Sequence, residues 1–88
     1  RRGVQLDLYF DDDSYAYARR DAAETVVIIL NRAAASKELS VPASYLNLRE
    51  GARLEPLLGT SDRPAVAAGS LKLNVPAKSA VFYKLSAQ

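Results

Sequence analysis

The chain has 88 residues, 49% of them hydrophobic, and this length and globular composition fit one small domain with little stability to spare for a deep pocket. It contains no cysteine and no histidine, which excludes disulfides, thiolate catalysis, Cys-based zinc sites, a Ser-His-Asp triad within the chain and imidazole as base or metal ligand. Twelve basic and ten acidic residues leave a net charge of +2, and the basic residues stand singly or in pairs, which does not point to nucleic acid.

Val4 to Phe10 alternates apolar and polar until its end, which predicts a half-buried strand with Val4, Leu6 and Leu8 inward. Asp11-Asp12-Asp13 reads as an exposed turn, because aspartates bond their own backbone and repel one another. Ser14 to Arg20 alternates again. Tyr15, Tyr17 and Arg19 share one face, and Ala16, Ala18 and Arg20 share the other, where small side chains let a second layer approach closely. The segment from Asp21 to Glu24 connects this strand to the next as a hairpin.

Glu24 to Asn31 encloses the longest apolar run in the chain, and four of its five apolar residues are β-branched. Apolar residues on both parities predict a central strand covered on both faces. Ser36 to Val41 alternates, with Lys37, Leu39 and Val41 on one face, and Pro42 ends it. Ala43 to Glu50 is ambiguous between a short strand and a turn of helix starting near Ser44. Arg53 to Leu58 reads as an edge strand because Pro56 lies inside it. A polar loop follows from Gly59 to Pro64. Ala65 to Ala68 reads as a short strand, Leu71 to Val75 as a cleanly alternating one, and Ala80 to Leu85 as the last, with Ser86 to Gln88 as a tail. Seven or eight short strands separated by turn signals predict an all-β, antiparallel two-layer sandwich with Greek-key connections, in one domain over residues 1–88. No apolar run approaches the roughly 20 residues of a membrane span, and no signal-peptide pattern opens the chain. The start at Arg1-Arg2-Gly3, without Met, is that expected of a processed chain or a piece of a longer one.

Few residues suggest chemistry. Asp11, Asp12 and Asp13 offer carboxylates to Ca²⁺, but an EF-hand loop needs acids at alternate positions, then Gly and a distal Glu. A solvated turn is the simpler reading. Glu24, Glu38, Glu50 and Glu55 fall near strand ends or on outer faces, away from any evident cleft for a glycosidase pair. The four glycines are isolated, so no phosphate-binding loop is present. No catalytic residue, metal site or cofactor is indicated. The five tyrosines, Tyr9, Tyr15, Tyr17, Tyr45 and Tyr83, are the remaining candidates. Tyr15, Tyr17 and Tyr45 could stack on sugar rings, while packing in a core or between domains is the commoner use of tyrosine in strands.

Several pieces in order resemble a known family. Arg1-Arg2-Gly3 precedes a strand and an acidic turn. Tyr15-Ala16-Tyr17-Ala18-Arg19-Arg20 leads to Val26–Leu30 and Asn31. Leu57-Leu58-Gly59, Gly69-Ser70-Leu71-Lys72-Leu73 and Pro76-Ala77-Lys78-Ser79-Ala80-Val81 follow. This resembles the C-terminal β-sandwich of the α-amylase superfamily (glycoside hydrolase family 13), nearest the cyclomaltodextrinase, neopullulanase and maltogenic amylase type. Arg32-Ala33-Ala34-Ala35 and Thr60-Ser61-Asp62 depart from the commoner turns. The resemblance implies that residues 1–3 are the tail of a preceding catalytic (β/α)8 barrel, that the catalytic carboxylates lie in that barrel, and that none is present here. It implies an accessory domain packing on the barrel of an enzyme that hydrolyses or transfers α-1,4-glucosidic bonds, sometimes adding contacts to a maltooligosaccharide. A carbohydrate-binding module and a free-standing protein-interaction sandwich with open strand edges are the alternatives. Such a packing domain predicts an apolar patch beside the N-terminus.

Overall fold

The apolar run becomes β3 (Thr25–Asn31), the middle strand of a five-stranded antiparallel sheet. The computed structural model describes residues 4–20 and 24–85; the readings of the Arg1–Gly3, Asp21–Ala23 and Ser86–Gln88 segments and of the Val4 side chain lie outside the described residues. Before β3 come β1 (Val4–Phe10) and β2 (Ser14–Arg20); after it come β4 (Lys37–Pro42), β5 (Leu54–Leu58), β6 (Ser70–Val75) and β7 (Ser79–Leu85). The large sheet runs β1-β2-β3-β7-β5, and β4 pairs with β6 in a second, two-stranded sheet. The chain thus leaves the large sheet after β3 and returns to place β7 beside it, a connection of the Greek-key kind. Among the described residues no helix is long and apolar enough to cross a membrane.

The period-2 pattern decides which side chains meet between the sheets. Ala16, Ala18, Val27, Ile29, Val81 and Tyr83 of the large sheet face Leu39, Val41, Leu71, Leu73 and Val75 of the small one in a single core. Ala16 and Ala18 are fully buried, which leaves room for the second layer. In β1 the register slips between Asp7 and Tyr9, so Leu8 is the extra residue of a bulge. The slip is where the sequence alternation broke. It lets Leu8 reach the core while Tyr9 packs half-buried against it.

Pro56 lies in β5, at the sheet edge, opposite Tyr83, where its missing N–H costs no ladder bond on the open side. Next to it, Gly59 has φ +82, and a Cβ there would collide with the Ala80 carbonyl oxygen. Only glycine fits the point where this strand turns away from β7. The ambiguous 43–50 stretch is a short 3-10 turn over Ala43–Leu46, closed by Asn47 in the left-handed region, with Leu46 and Leu48 buried. Ala65 to Ala68 does not form a strand. It makes only isolated bridges, Arg53 to Ala65 and Ala67 to Ser70, because the tight turn at Ala68-Gly69 leaves too few residues to extend the ladder.

Candidate functional site

A strand face turned to solvent is usually polar. The outer face of the large sheet is not, and its composition can be read rung by rung. One rung runs Phe10, Tyr15, Leu30, Ala80 across β1, β2, β3 and β7. The next runs Asp7, Tyr17, Ile28, Phe82, Leu58, ending on β5. The third, Gln5, Arg19, Val26, Lys84, Glu55, is mostly polar. Two adjacent apolar rungs therefore cross the sheet. Ile28 is buried beneath its neighbours, whereas Phe10 is 80% exposed, Leu58 64% and Leu30 40%. The patch lies toward the Phe10 end of β1 and not, as expected, beside the N-terminus, because the rung nearest Val4 is the charged one.

Tyr15 and Tyr17 are brought together on this face. Their rings stack with centroids 5.0 Å apart and planes at 26°, and Phe10 meets Tyr15 edge-on at 6.3 Å. The Tyr15 hydroxyl donates to Asp7 Oδ1 at 2.6 Å and accepts from Gln5 Nε2 at 2.8 Å. That bond to a carboxylate raises the Tyr15 phenol above its ordinary value. Tyr45 stands apart, 53% exposed on the 3-10 turn that follows β4. Tyr83 is core, and burial raises its phenol.

The acidic turn divides its labour. Asp11 Oδ1 accepts from the backbone N–H groups of Asp13 and Ser14 at 2.8 and 2.7 Å. Its Oδ2 accepts from Lys37 Nζ at 2.7 Å and from the Tyr9 hydroxyl at 2.6 Å. The Lys37 ammonium and Tyr9 hydroxyl hold the Asp11 carboxyl well below the usual carboxylate range, and Asp11 in turn raises both partners. Asp11 thus ties the large sheet to β4 in the small one. Asp12 and Asp13 are exposed, and among the described residues no group of three acidic side chains is placed to hold a metal.

Sequence reasoning missed Asn31, which closes the same end of the fold. Its side chain is buried, and Nδ2 donates to the carbonyls of Ala35, Val75 and Pro76 at 3.1, 3.2 and 3.2 Å. Its Oδ1 accepts from the Ala33 N–H at 2.9 Å. The one signal available was a polar residue continuing an apolar run on its inward parity. Beyond Asn31, Arg32 and Lys78 stand beside an open concavity of about 950 Å³, whose floor includes Phe10, Tyr15, Leu30 and Ala80.

Known structures share this architecture. An α-amylase from Geobacillus thermoleovorans, solved with acarbose, is 23% identical over 99% of this chain and 19% of its own, with a TM-score of 0.86. An Anoxybacillus α-amylase is 24% identical over 99% of this chain and 18% of its own, with a TM-score of 0.82. A GH27 β-L-arabinopyranosidase from Geobacillus stearothermophilus is 18% identical over 100% of this chain and 21% of its own, with a TM-score of 0.73. At these identities the likeness is one of fold. The chain spans about a fifth of the length of the solved chains it matches. A search of the curated proteins finds no match. The sequence pattern of the maltogenic amylase C-terminal domain matches residues 8–82, from the β1 bulge to the middle of β7, and the chain belongs to that family.

Proposed function

We propose that this is a non-catalytic accessory domain of an α-glucan-active glycoside hydrolase, and that the outer face of its large sheet packs on the preceding catalytic barrel. The observation that carries this is the pair of apolar rungs on a face that would otherwise meet water. Covering Phe10, Leu30 and Leu58 contributes about 1–2 kcal/mol for each side chain. Family membership supports the assignment to an amylase-type parent acting on α-1,4-glucosidic bonds. The first test is the intact mass of the native gene product, expected to be several times that of this chain with a barrel before Arg1. In that enzyme, Phe10→Asp with Leu58→Asp should lower the thermal midpoint and open the junction to protease. A native product of this size, or a double variant with an unchanged midpoint, overturns the proposal.

The Phe10, Tyr15 and Tyr17 aromatic cluster favours a second reading, in which this face, or separately Tyr45, contacts a maltooligosaccharide. Titration with the sugar while following tyrosine fluorescence tests it. Absence of any change at millimolar sugar removes it.

A further inference from the structure

We infer that residues 43–52 and 65–69 form a roof over the β5 end of the core. This roof opens as one unit while the strands stay paired, and the Glu50 carboxylate is its latch. The roof lies on the inner side of the large sheet, so the device does not depend on what covers the outer face.

The need for a roof follows from the strand count. Five strands form one layer and two form the other. Of the small sheet, β4 touches β1, and β6 touches β3 and β7. Leu54 of β5 is nevertheless fully buried. The core residues outside the strands, Ala43, Leu46, Leu48 and Val66, supply the cover at that end. Two connections thus do the work of a further strand, without a ladder.

The two connections hold each other. The Gly51 N–H donates to the Val66 carbonyl at 3.0 Å, and the Val66 N–H to the Ala52 carbonyl at 2.8 Å. The Ala43 N–H donates to the Gly69 carbonyl at 2.9 Å. Glu50 adds a side-chain tie: its Oε2 accepts from the Ala68 N–H at 2.8 Å and its Oε1 from the Gly69 N–H at 3.2 Å. The positive φ of Ala68 and Gly69 presents both N–H groups to the one carboxylate, and an ionised acceptor strengthens such bonds. Among the described residues no backbone hydrogen bond joins 44–52 or 65–69 to β1, β2, β3 or β7. The ties to strands lie at the margins, where the Leu54 N–H meets the Pro64 carbonyl at 2.9 Å and Ala67 bridges to Ser70. Segments bonded to each other but not to the main sheet open together, at a lower free energy than global unfolding. Opening uncovers Leu54 and leaves the β1-β2-β3-β7 ladder intact.

Hydrogen exchange of the full-length protein, read by peptide mass spectrometry, tests this. Peptides from 43–52 and 65–70 should share one level of protection, below that of β3 and β7 and with weaker dependence on urea. Asn31→Ala should speed exchange in β3 and β7 by about fivefold or more. It should leave both roof segments unchanged, since the bonds of Asn31 survive while the roof is open. Glu50→Ala should speed both roof segments together by about five- to tenfold, because its bonds are lost in the opening. Glu50→Gln, which keeps one acceptor oxygen, should fall between. Asn31→Ala speeding the roof as much as β3 would show that the roof opens only with the whole domain, and overturns the inference. Acceleration by Glu50→Ala confined to 65–70 would leave Glu50 as a local turn bond, and overturns the latch.

Discussion

Asn31 shows how much one side chain settles in so small a domain. While itself buried, it bonds the Ala33 N–H and the Ala35 carbonyl of the β3–β4 connection and shares its amide with the Val75 and Pro76 carbonyls at the end of β6. Asn31→Ala removes all four bonds and should cost about 1–3 kcal/mol. Chemical denaturation measures this; a loss below 1 kcal/mol would mean that solvent replaces the amide. Asp11 makes a prediction in pH. Its folded carboxyl is depressed, so as pH falls the unfolded chain takes up the proton first. Its contribution is complete above the ordinary carboxylate range and is lost below about pH 4, as pH falls toward the folded value. Lys37 is raised, so its share is complete below the ordinary lysine range and fades above it. Asp11→Asn should lower the urea midpoint at neutral pH and flatten its fall between pH 4 and 2. An unchanged slope would show that other carboxylates carry the acid limb.

At the scale of elements, alternation made β2 and β6 legible, since their two faces differ over most of their length. The apolar run gave β3 for the same reason in reverse, with neither face polar. Pro56 placed β5 at an edge because a proline in a central strand leaves a neighbour's carbonyl unpaired. The bulge at Leu8 left a trace in the broken alternation at the end of β1, but the bridges at Ala65 and Ala67 were not legible, because the tight turn at Ala68-Gly69 decides how far that ladder extends. The turn before β6 was visible as Gly69, but its type was not. Ala68 and Gly69 have φ of 52 and 79, and both N–H groups donate to the Glu50 carboxylate. Two successive positive φ values define a hairpin turn that favours Asn-Gly. Ala68→Asn should therefore stabilise the domain by about 0.4–1 kcal/mol, read as a higher thermal midpoint. A fall would mean that the Asn side chain disturbs the Glu50 contact.

For the whole molecule, composition and strand pattern predicted a two-layer sandwich, and the ordered motifs placed it among amylase C-terminal domains. The candidate surface was half legible. Tyr15 and Tyr17 shared a predicted face, and Phe10 joins it through the bulged β1–β2 hairpin, but Phe82 and Leu58 join it only through the pairing of β7 with β3, strands distant in sequence. A face of this kind should make the 88-residue chain self-associate in solution. Replacing Phe10, Leu30 and Leu58 by Ser, Thr and Thr should render it monomeric by sedimentation at tens of micromolar. Equal association in the variant would place the adhesive surface elsewhere, on the open edges of β4 or β6.

The placement of β7 beside β3 has a consequence in time. During synthesis β3 finds β2 almost at once, but its other edge waits for a strand that begins about 50 residues later, roughly 2–10 s at ordinary elongation rates. Throughout that interval Val26-Val27-Ile28-Ile29-Leu30 presents an unpaired, uncharged, β-branched edge, the composition most prone to pair with a neighbouring nascent chain. The hazard of this fold is thus greatest on the ribosome, and slower translation after β3 should lower its soluble yield while leaving the stability of the finished domain unchanged.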